Sequence, residues 1–131
     1  MRDRLLKGFC AFAVILLVTG CMGTPVSEQP DSDHPVDLEN HGSEGATFDI
    51  TVVRNATGEI VHNQSHVLDP GKEREVYNTD RASPNGIETF EIRWAARNET
   101  GQVTIKTNQC YGGAYVMIQE DGTASSTYSI C

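Results

Sequence analysis

Hydrophobic and polar residues alternate along most of the chain beyond residue 45. Phe48, Ile50 and Val52 interleave with Thr47, Asp49 and Thr51, the period-two signature of a strand with one buried face. Asn55-Ala56-Thr57-Gly58 predicts a turn, with Gly58 suited to positive φ, and Glu59 to Leu68 the return strand. Asp69-Pro70-Gly71 predicts a second turn. Lys72 to Tyr77 follows as a short, charged strand that suits a sheet edge. The strongest pattern runs from Ile87 to Arg97, where Phe90, Ile92, Trp94 and Ala96 share one face. The single tryptophan is therefore expected at the centre of the core. Asn98-Glu99-Thr100-Gly101 predicts a turn, Gln102 to Thr107 a strand, Ala114 to Glu120 another, and Asp121-Gly122 a hairpin leading into Ser125 to Cys131. These make seven strands, or eight if Val36 and Leu38, alternating with Asp37 and Glu39, start a first one. No segment carries helical periodicity. The pattern predicts an all-β domain of two packed antiparallel sheets.

The first twenty residues follow a different pattern. Arg2, Arg4 and Lys7 precede eleven uncharged, mostly apolar residues from Gly8 to Val18. A spanning helix needs about twenty, whereas an export signal needs roughly 7–15. Val18-Thr19-Gly20-Cys21 then resembles the lipobox of exported lipoproteins. The resemblance implies cleavage before Cys21 and a diacylglyceryl group on its sulfur, and two acyl chains hold a protein stably to a membrane. An uncleaved anchor reaching Met22, or a signal with a chance cysteine, are the alternatives. Residues 21–45 carry Pro25, Pro30, Pro35 and many acidic side chains, the composition of a solvated tether. His34 and His41 fall within it and are expected to be solvated. The domain boundaries on this reading are 1–20, 21–45 and 46–131.

Charge narrows the function. Without Arg2, Asp3, Arg4 and Lys7, seven basic and seventeen acidic residues remain, a net charge of −10. Nucleic acid is a poor partner for such a surface, because phosphate contacts need Lys and Arg. Acidic excess with only Lys72 and Lys106 beyond the signal resembles proteins of salt-loving archaea, in which salt screens self-repulsion; an acidic bacterial lipoprotein is the alternative. With the lipobox and the Leu68-Asp69-Pro70-Gly71 turn, the chain resembles small haloarchaeal lipoproteins that carry an immunoglobulin-like β-sandwich. That resemblance implies a lipid-anchored domain outside the cell membrane, with a protein or envelope component as partner. The Cys–Trp–Cys order of antibody domains is missing, because Trp94 precedes both remaining cysteines.

Of the four cysteines, Cys10 leaves with the signal and Cys21 is assigned to lipid. Cys110 and Cys131 remain, as a disulfide or as two free thiols. Eleven residues precede the Asp121-Gly122 turn from Cys110 onward, and nine follow it. Folding the hairpin brings the two cysteines together if a bulge at Gly112-Gly113 absorbs the stagger. The chain also holds three Asn-x-Ser/Thr sequons, at Asn55, Asn63 and Asn98. Asn55 and Asn98 lie in a near-repeat, Arg54-Asn55-Ala56-Thr57-Gly58 and Arg97-Asn98-Glu99-Thr100-Gly101, which repeated turn chemistry explains.

Chemistry beyond this is sparse. His62 and His66 stand four apart on one strand and could begin a metal site, with no third ligand evident. A blue-copper centre needs two His besides its Cys, and no His follows Cys110. No nucleophile elbow, zinc helix or phosphate loop is present. The expectation is a non-catalytic, lipid-anchored surface sandwich without a cofactor. An accessory protein binding metal or solute through His62 and His66, with Trp94 stacking on a ligand, is the alternative.

Overall fold

A computed structural model describes Gly23 and residues 25–131; Cys21 and the lipobox-like residues lie outside the described residues. After a one-turn 3₁₀ helix at Val26–Glu28 come eight strands: β1 (Pro35–Asn40), β2 (Ala46–Arg54), β3 (Glu59–Leu68), β4 (Glu73–Asn78), β5 (Thr89–Ala96), β6 (Glu99–Lys106), β7 (Tyr111–Ile118) and β8 (Ala124–Ile130), with a second 3₁₀ turn at Thr79–Ala82. They form two four-stranded sheets, ordered β4-β1-β7-β8 and β3-β2-β5-β6. The chain is an all-β sandwich, as the alternation predicts. It shares two packed sheets with the immunoglobulin-like domains and differs from them in strand order.

The central strands each bury one face. Phe48, Ile50 and Val52 of β2 and Phe90 and Ile92 of β5 meet Val36 and Leu38 of β1 and Ala114, Val116 and Ile118 of β7. The two central strand pairs thus supply most of the core. Trp94 belongs to the core but not to its centre. Its ring lies against Gly101 on the edge strand β6, and its indole nitrogen is buried with no hydrogen-bond partner among the described residues.

The folded unit starts well before residue 46, so residues 35–45 are sandwich rather than tether. Val36 and Leu38 are fully buried, and β1 lies between β4, its antiparallel neighbour, and β7, to which it runs parallel. Even before β1 the chain is tied down: Gln109 N–H donates to the Gln29 carbonyl at 2.9 Å and Asp31 N–H to that of Thr107 at 2.9 Å. His34 is buried, not solvated. Its Nδ1 lies 2.9 Å from the Gly112 carbonyl and its Nε2 2.7 Å from that of Asp31. Carbonyls only accept, so one ring nitrogen donates in the neutral form and both in the doubly protonated form.

The turn expected at Asn98–Gly101 lies earlier. Ala96 pairs with Glu99, and Arg97 and Asn98 alone make the hairpin loop, at φ 53° and 61°. Positive φ at both central residues matches the twist of the flanking strands. Gly101 is left inside β6.

Candidate functional site

The open side of the sandwich between edge strands β3 and β4 gathers the most unusual side chains. Positions 62, 64, 66 and 68 of β3 share a face, and Leu68 is buried. Across the ladder, His62 opposes Val52, Gln64 opposes Ile50, and His66 opposes Phe48, all core residues. The two imidazoles therefore sit on the core side of the edge strand. A register shift between Val52 and Val53 makes Val61 a bulge, so His62 keeps this face while the strand end turns away.

From the other sheet, Tyr77 of β4 lies beneath His62, with ring centres 4.9 Å apart and planes tilted by 39°. Arg81 reaches over Tyr77, its guanidinium carbon 5.8 Å from the ring centre. Arg74 opposes core-facing Leu38 and donates from Nη2 to the Val67 carbonyl at 3.2 Å, bridging the two sheets.

His62 and His66 meet end to end. Their Nε2 atoms are 3.1 Å apart, their planes differ by 4°, and their ring centres are 5.4 Å apart. That separation is close to the largest two imidazoles can have at this nitrogen distance, so the nitrogens point straight at each other. Four residues span about 13 Å along a strand, so the rings meet only because both side chains lean toward each other. One ring donates N–H and the other offers a lone pair, the roles depending on the tautomer.

The surroundings favour neutral rings. Burial, then His66 and Arg81, hold His62 below the usual histidine range. Burial and then Arg74 do the same for His66. Burial raises the Tyr77 phenol, partly offset by Arg54 and Arg81. The pair can thus share one proton or hold one small ion in its place. The sequence singled out these two histidines but not Gln64, Arg74, Tyr77 or Arg81. The signal for the shared face was the even spacing from Leu68; the sheet-to-sheet neighbours left none.

A second group joins Glu39, His41 and Glu73, whose ligand atoms lie within 4.8 Å of one another. Glu39 and His41 pair at 3.0 Å. This group has no buried donor. It continues an acidic ladder in which Asp37 opposes Glu75 and Glu39 opposes Glu73. Burial first, then Glu75, Glu39 and Glu73, raise the Asp37 carboxyl above its ordinary range.

The remaining expected residues scatter. Cys110 and Cys131 are joined, with Cα atoms 4.9 Å apart. Asn55 and Asn98 are exposed in turns, and Asn63 is exposed on β3. Trp94 floors a shallow depression with Gly101, rimmed by Asp49, Thr51, Arg93 and Gln102, but its ring is packed in the core and offers no face for stacking. No protein-family model matches the chain, and no curated protein matches it significantly.

Proposed function

We propose that the chain is a non-catalytic β-sandwich displayed outside the cell membrane, held there by lipid on Cys21 and serving a protein or envelope partner. The Cys110–Cys131 disulfide carries this reading, since such bonds persist in oxidising compartments and are rare in the cytosol. The short apolar run and Val18-Thr19-Gly20-Cys21 add the anchor. Lipidation would keep the sandwich close to the bilayer. Gln29, eight residues beyond Cys21, is already hydrogen-bonded to the domain, and eight residues reach at most roughly 28 Å. The acidic surface suits a high-salt medium. Asn55 and Asn98, exposed in turns, are the favoured glycan acceptors, ahead of Asn63; intact-mass analysis of native protein tests this. A second reading, an accessory protein carrying a metal ion, is favoured by the His62–His66 pair.

Changing Cys21 to Ser tests the anchor. The variant is expected in the medium or as unprocessed precursor. A variant that stays tightly membrane-bound with its signal removed would refute lipid attachment. Crosslinking on intact membranes, read against that variant, identifies the partner; recovery of the protein alone would count against partner binding.

A further inference from the structure

We propose that His62 and His66 form a two-coordinate site for a soft monovalent metal ion, Cu(I) or its redox-inert analogue Ag(I), bound in line between the two Nε2 atoms. The proposal rests on the metal-carrier reading and names the class of ion.

Geometry comes first. Metal–imidazole bonds are about 2 Å long. Two such bonds in a straight line put the nitrogens about 4 Å apart. The Nε2 atoms already face each other head-on at 3.1 Å with nearly parallel planes. Opening the gap by roughly 1 Å along the existing axis admits the ion. A bent site of the kind zinc prefers would keep the 3.1 Å separation, but each ring would have to swing roughly 40° off that axis. His62 is packed on Tyr77, and that contact opposes such a swing.

The donor set points the same way. Among the described residues, no carboxylate, thiolate or third imidazole joins the pair as a ligand group. Tetrahedral sites for zinc take four ligands, and two neutral nitrogens compensate no charge. The charged side chains that act on the rings are cations, Arg81 on His62 and Arg74 on His66. They penalise a divalent ion more than a monovalent one. They also disfavour imidazolium, leaving lone pairs free for metal, since a ligand must be deprotonated to bind. Imidazole suits copper, and d¹⁰ monovalent ions accept two donors in line.

The test uses the full chain with Cys10→Ser and Cys21→Ser, so that no free thiol competes. Ag(I), and Cu(I) kept reduced without oxygen, are titrated against a chromophoric competitor while the imidazole nitrogens are followed by NMR. One equivalent is expected, shifting Nε2 of both His62 and His66, with X-ray absorption giving two nitrogen neighbours. His62→Gln or His66→Gln is expected to weaken binding at least tenfold, and His41→Gln to leave it unchanged. Binding by this chain with both histidines in place that leaves both Nε2 signals unmoved would overturn the proposal and the metal reading with it, whatever the fold of the histidine variants. Zn(II) or Cu(II) held more tightly than Ag(I) by these two histidines would overturn the monovalent assignment alone.

Discussion

The indole of Trp94 crosses Gly101 so closely that a Cβ on the glycine would stand 2.5 Å from Cζ2. The two residues face each other across the β5–β6 ladder, so the glycine is the floor on which the ring rests. Gly101→Ala is expected to lower stability by about 1–3 kcal/mol, the usual cost of overpacking. Urea unfolding measures it, and an unchanged midpoint would mean that the ring moves aside freely. A Cβ on Gly58, its counterpart in the near-repeat, would meet nothing within 4 Å, and the residue sits at φ 73°. There only the backbone conformation is at stake, and Gly58→Asn is expected to cost far less.

This pair also marks how far the sequence could be read. Alternation located the strands from Ala46 onward because each side chain's face follows from its parity. The near-repeat misled, because identical letters serve different ends: Gly58 closes a turn, while Gly101 makes room for an indole. β1 has the composition of a tether, and its partner β7 is parallel and lies more than seventy residues away. A parallel pair needs no turn between its strands, so no local signal announces it. The burial of His34 leaves no local signal for the same reason, since its contact at Gly112 exists only once β1 docks. For His62 and His66 the residues were legible and their setting was not, because Tyr77 and the arginines approach from the other sheet.

The acidic ladder of β1 and β4 is a local conflict. Like charges directly opposite one another on adjacent strands destabilise a sheet, and here Asp37 faces Glu75 while Glu39 faces Glu73. Glu75→Gln is expected to stabilise the domain by about 0.2–1 kcal/mol in dilute buffer. Molar KCl, which screens the repulsion, is expected to raise the melting temperature of the wild type more than that of the variant. The pH dependence has a definite sign. Asp37 titrates higher in the fold than in the unfolded chain, where the ordinary value is 3.8, so its ionised form costs stability and acidification through its folded pKa relieves that cost. The relief should shrink in Glu75→Gln. Equal salt responses in the two proteins would remove the ladder as their cause.

The imidazole pair gives the opposite trend. Both histidines bind protons less readily in the fold than at their ordinary value of 6.5. The unfolded chain therefore takes up protons first as pH falls. Stability from the pair is complete above 6.5 and is lost progressively as pH drops below it toward the folded values. Double protonation also removes the acceptor from the Nε2–Nε2 hydrogen bond. Arg74, Arg81 and Tyr77 face the pair, and burial pushes the Tyr77 phenol up, away from this range. The difference in unfolding free energy between wild type and the His62→Gln, His66→Gln double variant should narrow as pH falls. A difference constant through the histidine range would mean that the pair stabilises by packing alone.

The disulfide ties the last hairpin together, and its register explains why. Ile118 pairs with Ala124 and Ala114 with Tyr128, but Tyr111 pairs with Ile130. One extra residue is thus taken up at Gly112-Gly113, and this bulge sets Cys110 beside Cys131. The Cys131 N–H donates to the Cys110 carbonyl at 2.8 Å, and the Cα atoms stand 4.9 Å apart, within bridging range. Tyr111 and Tyr128 stack beside the bond, with ring centres 5.6 Å apart. The cross-link spans 21 residues, and closing a loop of this size is worth about 3 kcal/mol by the chain-entropy argument. It also pins an edge strand whose last residues are exposed and would otherwise fray. Cys131→Ala is expected to lower stability by about 2–4 kcal/mol. The loss should fall on the whole domain, because β7 lies between β1 and β8 in its sheet. Hydrogen exchange separates the two possibilities. Faster exchange in β1 and β7 as well as β8 is expected, whereas a loss of protection confined to β8 would make the bond a local clasp on the chain end.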